Sequence, residues 1–462
     1  MAQQQTQHTA LNTKPDFSLF KSLLFTAAPI IFQNLTQSFI NMLDTIMVGR
    51  LGEVEIAAVG LGNQIYFMMT MILFGIASGA SIFIAQFWGQ KDVAGIRKTL
   101  GLSLSAAGIV SVLFMAAALA VPETLISLYS ADTAVIKEGG AYLRAVAVSY
   151  PITAVSFVYA QALRSTEKLQ LPLAAAVASL AVNGLLNYLF IFGVGPFPEL
   201  GVVGAAIGTV AARVIELALL LFVSYRRRYP AAGTCRELFS FNGYLIRRYI
   251  IIAVPVIINE TLWGGGITMQ NSIFAHAGTD AIAAFNITGT ISQLTWVFFI
   301  GCGNAAAIVI GKRIGEHNDV LARKSANTFA LYMPLFACAF ALLLLPLSRL
   351  LPLLFKVSPH IIEQAAAMLY VLMVSYPFKA FNMCMVVGVC RSGGDTVFAA
   401  VCDVAFMWLI ALPLGALAAL YLHAPAWIVY CCVICDDWIK AALGLWRLRS
   451  GKWLHHVTEP AQ

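Results

Sequence analysis

Five carboxylates sit in stretches otherwise too apolar to welcome them: Asp44, Glu260, Asp403 and the adjacent Asp436 and Asp437. A charged side chain at the centre of a bilayer costs at least about 2.5–3.5 kcal/mol, so such groups are read as ion, proton or ligand sites by default. The chemistry they offer is reversible binding of a cation. Around Asp44 the sequence reads NLTQSFINMLD, and on a helix Asn34, Gln37, Asn41 and Asp44 fall at i, i+3, i+7 and i+10 on one face. Amides on that face give a carboxylate hydrogen-bonding partners and a polar path inward. Asn183 and Asn187, at i and i+4 within another apolar segment, can complete the pocket. Glu260 lies too deep in its segment to reach water easily, and Gly264, Thr268 and Asn271 share its face. It is expected to take a proton or another cation. Asp403 is expected to pair with a nearby cation, Lys379 being the candidate. Arg213 and Glu216, at i and i+3, should neutralise one another. Asp436 and Asp437, just before Lys440, are expected to be solvated or paired.

The elements that must position these groups are set by composition. Of 462 residues, 60% are hydrophobic and 11% charged, against about 25% charged in soluble domains. Runs such as LAVNGLLNYLFIFGVG and LYMPLFACAFALLLLPL are continuously apolar, not alternating, so the spans are helices and not barrel strands. The chain is expected to be an all-α polytopic membrane protein with twelve transmembrane helices, from 17–48 to 426–446. The net charge of +7 does not point to nucleic acid, because its basic residues cluster in short loops between apolar runs. One side of the membrane receives Lys14, Lys21, Arg97, Arg164, the arginines at 226–228, Arg247, Lys312, Arg391, Lys440 and Arg447, among others. The other receives Arg50, Lys137, Arg349 and Lys356. That asymmetry puts both termini in the cytoplasm, as does the absence of a basic n-region before the first apolar run. Cys302, Cys338, Cys384, Cys390 and Cys402 read as small buried hydrophobes. Cys431, Cys432 and Cys435 lack the His or carboxylate partners of a structural metal site.

The sequence also repeats itself. Pro29 answers to Pro255, a shift of 255 − 29 = 226, and at the same shift Gly52 meets Gly278, Gly75 meets Gly301 and Lys98 meets Lys324. VSYP at 148–151 recurs as VSYP at 374–377. Each half holds an even number of spans, so the halves enter the membrane in the same direction, as two six-helix lobes related by a pseudo-two-fold axis along its normal. The organisation expected is a lobe over 1–225 with a short cytoplasmic tail, a cytoplasmic linker over 226–242 and a lobe over 243–462. A cleft between lobes that rock to give alternating access is the natural mechanism.

Taken together, LDTIMVGRLG with EIAAVGLGNQ, the NxxxN of the fifth span running into LFIFGVG, GVVGAAIGTVAAR, NETLWGGG and RSGGDT resemble the multidrug and toxic compound extrusion (MATE) family over nearly the whole chain. The resemblance implies a secondary active antiporter that exports organic, mostly cationic and amphipathic compounds in exchange for protons or sodium ions. It matches Asp44 to the family's first-helix aspartate, Asn183 and Asn187 to its fifth-helix asparagine positions and Glu260 to its seventh-helix glutamate. The chain has no fifth-helix aspartate, and Lys379 stands where some members carry acidic residues, which makes Asp403 a candidate replacement.

On this reading Asp44, Glu260 and Asp403 couple transport to the ion, and Gln37, Asn41, Asn183, Asn187 and Lys379 line the pocket for substrate or cation. Sodium would bind only transiently, at Asp44 or Glu260. No cofactor, nucleic acid or structural metal is implied; the expected partners are organic cations and membrane lipid, and a monomer in the inner (plasma) membrane is expected. The alternative is a flippase for lipid-linked oligosaccharide or polysaccharide, which would need several Arg and Lys for pyrophosphate; only Arg144, Arg213 and Lys379 sit inside the expected spans. An intramembrane enzyme is disfavoured because no HExxH or GxSxG is present.

Overall fold

The structure, a computed structural model, describes residues 14–354 and 357–459. Lys356 and the tail over 1–13 lie outside the described residues. Helices dominate, and among the described residues the only extended pairing is a single bridge between Gly394 and Leu454. Among the described residues, ten helices are long and apolar enough to cross a membrane, or eleven if one bent pair counts as a single span.

The chain forms two compact units, Phe32–Ile257 and Met1–Ile31 with Ile258–Gln462. The first contains most of helix α1 (Phe17–Val48), then α2 (Glu53–Gly89), α3 (Val93–Ala120), α4 (Pro122–Ser127), α5 (Thr133–Ala147) and α6 (Ser149–Ser165). Helices α7 (Gln170–Phe192), α8 (Gly201–Arg226), α9 (Cys235–Leu238) and the start of α10 (Gly243–Ala277) complete it. Local chemistry marks the ends. Asp92 accepts a hydrogen bond from the Gly95 amide at 3.0 Å to cap α3, Asp132 caps α5 from Ala134 at 2.8 Å, and Gly193 ends α7 at a φ of 63°. The loop over 226–242 is folded onto α3: Arg97 pairs with Glu237 at 2.7 Å, and Tyr225 donates to the Gly233 carbonyl at 2.7 Å.

The second unit contains α11 (Thr279–Gly315), α12 (Asp319–Leu354) and α13 (Pro359–Met383), which widens into a π-helical stretch over Cys384–Arg391. It continues with α14 (Thr396–Phe406), α15 (Leu412–Ala416), α16 (Ala426–Val433) and α17 (Asp436–Ser450); π-helical turns flank α15 at Met407–Ala411 and Leu417–Tyr421. The segment expected over 426–446 is therefore carried by two helices, and its Asp436, Asp437 and Lys440 explain why it falls short as a purely apolar span. The repeated VSYP behaves differently in its two copies. Around Pro151 the chain bends by 50° between α5 and α6, as a residue without an N–H permits; Pro377 stays inside an unbroken α13. Cys338, expected inside, is exposed, while Cys302, Cys384, Cys390 and Cys402 are buried. An outward face within a bilayer is as apolar as a core, so the sequence does not distinguish the two for so small a side chain.

The units and the sequence repeats have different boundaries. In the first unit a Cβ on Gly75 would meet the Ile257 Cα at 2.6 Å. In the second, a Cβ on Gly301 would meet the Ile31 side chain at Cγ1 and its Cα at 3.4 Å. Both pairs are offset by the repeat, since 301 − 75 and 257 − 31 are each 226. The first part of α1 thus packs with the second repeat and the first part of α10 with the first, over glycines that let backbones approach closely.

Two outcomes follow. Gly75→Leu and Gly301→Leu should each lower stability in detergent by about 1–3 kcal/mol, the usual cost of overpacking, whereas Gly108→Ala, which faces open space, should leave the melting temperature nearly unchanged. The second concerns Asp16 at the head of α1, whose pKa is lowered to about 2, chiefly by the Lys324 hydrogen bond at 2.8 Å and then by Ser18. A depressed carboxyl stabilises the fold above its unfolded value of about 3.9 and loses that contribution as pH falls toward the folded value. Asp16→Asn should therefore flatten the acid limb of a melting temperature–pH curve in that window and leave its slope near neutrality unchanged.

Candidate functional site

In the first unit, α1 and α7 bring the amides to the carboxylate. Asn187 Nδ2 donates to Asp44 Oδ1, and also lies 3.5 Å from Asn183 Oδ1 one turn away. The Asn183 amide nitrogen and the Asn187 carbonyl oxygen are buried without a hydrogen-bond partner among the described residues. Further along the same face of α1, Gln37 Nε2 donates to Asn41 at 3.3 Å, and Gln37 Oε1 accepts from both terminal nitrogens of Arg213 at 3.3 and 3.2 Å. Arg213 pairs with Glu216 at 2.7 Å, both side chains nearly buried. Gln33 accepts from the buried Arg164 at 3.0 Å. Asp44 is therefore held by an amide, while the guanidinium on α8 is taken by Glu216 and Gln37. Asn34 makes no side-chain hydrogen bond among the described residues.

In the second unit, Glu260 on α10 meets Arg391 at 2.5 Å, with side chains 12% and 4% exposed. Lys440 on α17 bridges Asp403 at 3.1 Å and Asp436 at 2.6 Å. Lys379 reaches Asp437 at 2.9 Å, and Asn382 Nδ2 donates to the same aspartate's backbone and side-chain oxygens at 2.8 and 3.2 Å. Asp403 is near enough to repel Glu260, so these pairs form one cluster. Its four acids, Glu260, Asp403, Asp436 and Asp437, face three bases, Arg391, Lys440 and Lys379, leaving one negative charge in excess when all are ionised.

Several expectations are corrected here. Lys379 pairs with Asp437 and not with Asp403, whose partner is Lys440. The side chains of Arg164, Arg391 and Lys440, which count toward the cytoplasmic side, are buried against glutamines or carboxylates. Arg144, within the bent α5–α6 pair, is exposed and paired with Glu123 at 3.0 Å. Thr268 and Asn271 direct their side chains to carbonyls of their own helix, at 3.2 and 2.9 Å, and not toward Glu260. Nearby aromatic and thioether side chains are engaged with the protein's own core: Trp263 stacks on Trp296 with centroids 5.4 Å apart, Tyr66 lies beside Tyr150, and Met69 is fully buried. The sequence did not single out Asn382 or Arg391 for this cluster. The i, i+4 spacing of Asp436 and Lys440 was the one legible sign; Arg391 gave none, since a basic residue at the end of an apolar run counts equally well toward orientation.

These features define an integral membrane protein of duplicated helical architecture that buries ionisable groups in each of its two units. The MatE family model matches residues 29–189 and 255–417, one match in each repeat, and the chain belongs to that family. Among curated proteins it is 26% identical over 460 residues to the uncharacterized transporter YisQ of Bacillus subtilis, covering 98% of this chain and 99% of that one. It is 23% identical to the probable multidrug resistance protein NorM of Thermotoga maritima, over 94% and 93% of the two chains. Among solved structures, a mutant of the MATE transporter VcmN from Vibrio cholerae superposes with a TM-score of 0.85 at 20% identity, over 95% and 98% of the chains. A MOP superfamily transporter from Pyrococcus furiosus, described as having a binding pocket of reverse polarity, superposes at 0.82 and 20% over 96% and 98%.

Removing one partner of a buried ion pair leaves an uncompensated charge, at a cost of about 3–5 kcal/mol. Arg391→Met should therefore destabilise the detergent-solubilised protein strongly, and Arg391→Met with Glu260→Gln should recover most of that loss in the same thermal melt. Additive losses would show that the pair is not coupled.

Proposed function

We propose that the protein is a secondary active multidrug exporter in which an inorganic cation and an organic cation alternately satisfy buried negative charge. The observation that carries this reading is the excess carboxylate in the cluster around Glu260. A net charge in a low-dielectric interior is costly, and one proton or sodium ion taken up from outside completes neutrality. Once it is bound, the cluster no longer attracts a cationic passenger, so substrate leaves as the ion arrives. Asp44 is the corresponding site in the other unit, with Asn183, Asn187, Gln37 and Asn41 supplying oxygens and amides to a cation or its hydration. Lys379 tunes the cluster through Asp437. Rocking of the two lobes supplies alternating access. The names of curated relatives, such as the multidrug resistance protein MdtK of Edwardsiella ictaluri, support drugs as cargo.

The flippase alternative would use buried cations to hold pyrophosphate. Here Arg213, Lys379, Arg391 and Lys440 each face a carboxylate and Arg164 faces glutamines, which favours an exporter of cations. Inverted membrane vesicles test the proposal by ethidium accumulation under a pH gradient and a sodium gradient imposed separately. One gradient should drive uptake, and Asp44→Asn and Glu260→Gln should each reduce it at least about tenfold, the equivalent of 1.4 kcal/mol. Full gradient-driven transport by both variants would end this mechanism.

A further inference from the structure

Outside the spans, the turn between α11 and α12 meets the C-terminal tail. His317, in that turn at a φ of 54°, His456 and Glu459 bring ligand atoms within 4.8 Å of one another. His317 Nδ1 lies 3.4 Å from Glu459 Oε1, and His456 Nε2 lies 3.3 Å from Asp319 Oδ1. The first separation is long for a hydrogen bond, which prefers about 2.7–3.2 Å. It matches the edge of a tetrahedron whose centre is about 2.0–2.1 Å from each ligand, as for zinc held by nitrogen and oxygen. The other nitrogen of His456, Nδ1, is buried and has no hydrogen-bond partner among the described residues. A buried imidazole nitrogen left without a partner, in a residue grouped with a second histidine and a carboxylate, is open to a metal ion.

We propose that His317, His456 and Glu459 form a binding site for a zinc-class divalent cation, with water in the fourth place. Two imidazoles and one carboxylate favour a borderline transition ion over magnesium or calcium, which prefer all-oxygen shells. The ion fastens the tail to the α11–α12 turn. The tail is already tied on its other side: the His455 amide donates to the Gly393 carbonyl at 2.9 Å, Trp453 and Val457 are buried, and a Cβ on Gly393 would collide with the Trp453 carbonyl. Gly393 is two residues from Arg391, so the metal braces the loop that carries the Glu260 partner. The site stands independently of the transport reading.

Full-length, tag-free protein in detergent should retain one Zn2+ per chain after gel filtration and melt at a higher temperature with micromolar Zn2+ but not with Mg2+. His317→Ala with His456→Ala should lose that ion and the thermal shift, while its elution profile stays monodisperse. Co2+ in the wild type should give the intense visible absorption of a tetrahedral site that the double variant lacks. The nine cysteines remain in every variant, so metal held by thiols cancels in the comparison. Equal Zn2+ retention by wild type and double variant, or none by the wild type, would overturn the proposal.

Discussion

An ionised group inside an apolar helical bundle must find a counter-charge or a set of dipoles, and the interior of both units is organised by that demand. In the first unit the demand is met mostly by amides: Asn187 on Asp44, Gln37 on Arg213, Gln33 on Arg164. In the second it is met by ions, with Arg391, Lys440 and Lys379 set among Glu260, Asp403, Asp436 and Asp437. Amide partners leave a carboxylate's charge in place, whereas ionic partners cancel it. The two units, built on one repeat, therefore present different electrostatics to whatever enters them.

Backbone irregularity is concentrated where the ionic cluster is assembled. The π-helical stretch that follows α13 ends at Arg391, and further π turns flank α15. A π turn widens the helix by one residue and resets which side chains face inward, a device often found at functional positions. The α16–α17 break serves the same end. It lets Asp436 and Asp437 sit in the first turn of a new helix, where free amides favour negative charge.

The sequence disclosed the helical class, the duplication and the groups that are expensive to bury, because each of these is written in composition, periodicity or a constant offset. The Arg213–Glu216 contact was legible for the same reason, since helical spacing fixes which residues share a face; the Asp44–Asn187 contact joins residues 143 positions apart on two helices. Partner choice in the second cluster was not. Asp403 takes Lys440, 37 residues away, and Glu260 takes Arg391, 131 residues away, and nothing local distinguishes a basic residue that orients a loop from one that turns inward. The π-helical register of 384–391 also has no signature, since its residues are as apolar as those of an α-helical span.

The exchanged ends of α1 and α10 bear on the origin of the fold. A half-length ancestor packing its helices through the Gly75–Ile257 and Gly301–Ile31 pairs would have lacked a complete unit within one polypeptide. Each copy would have lent its leading half-helix to its neighbour, a reciprocal domain swap that closes on two subunits. Such a half-length chain would have folded only as a pair, and one polypeptide carrying both copies keeps the exchange of helix ends without any need to associate.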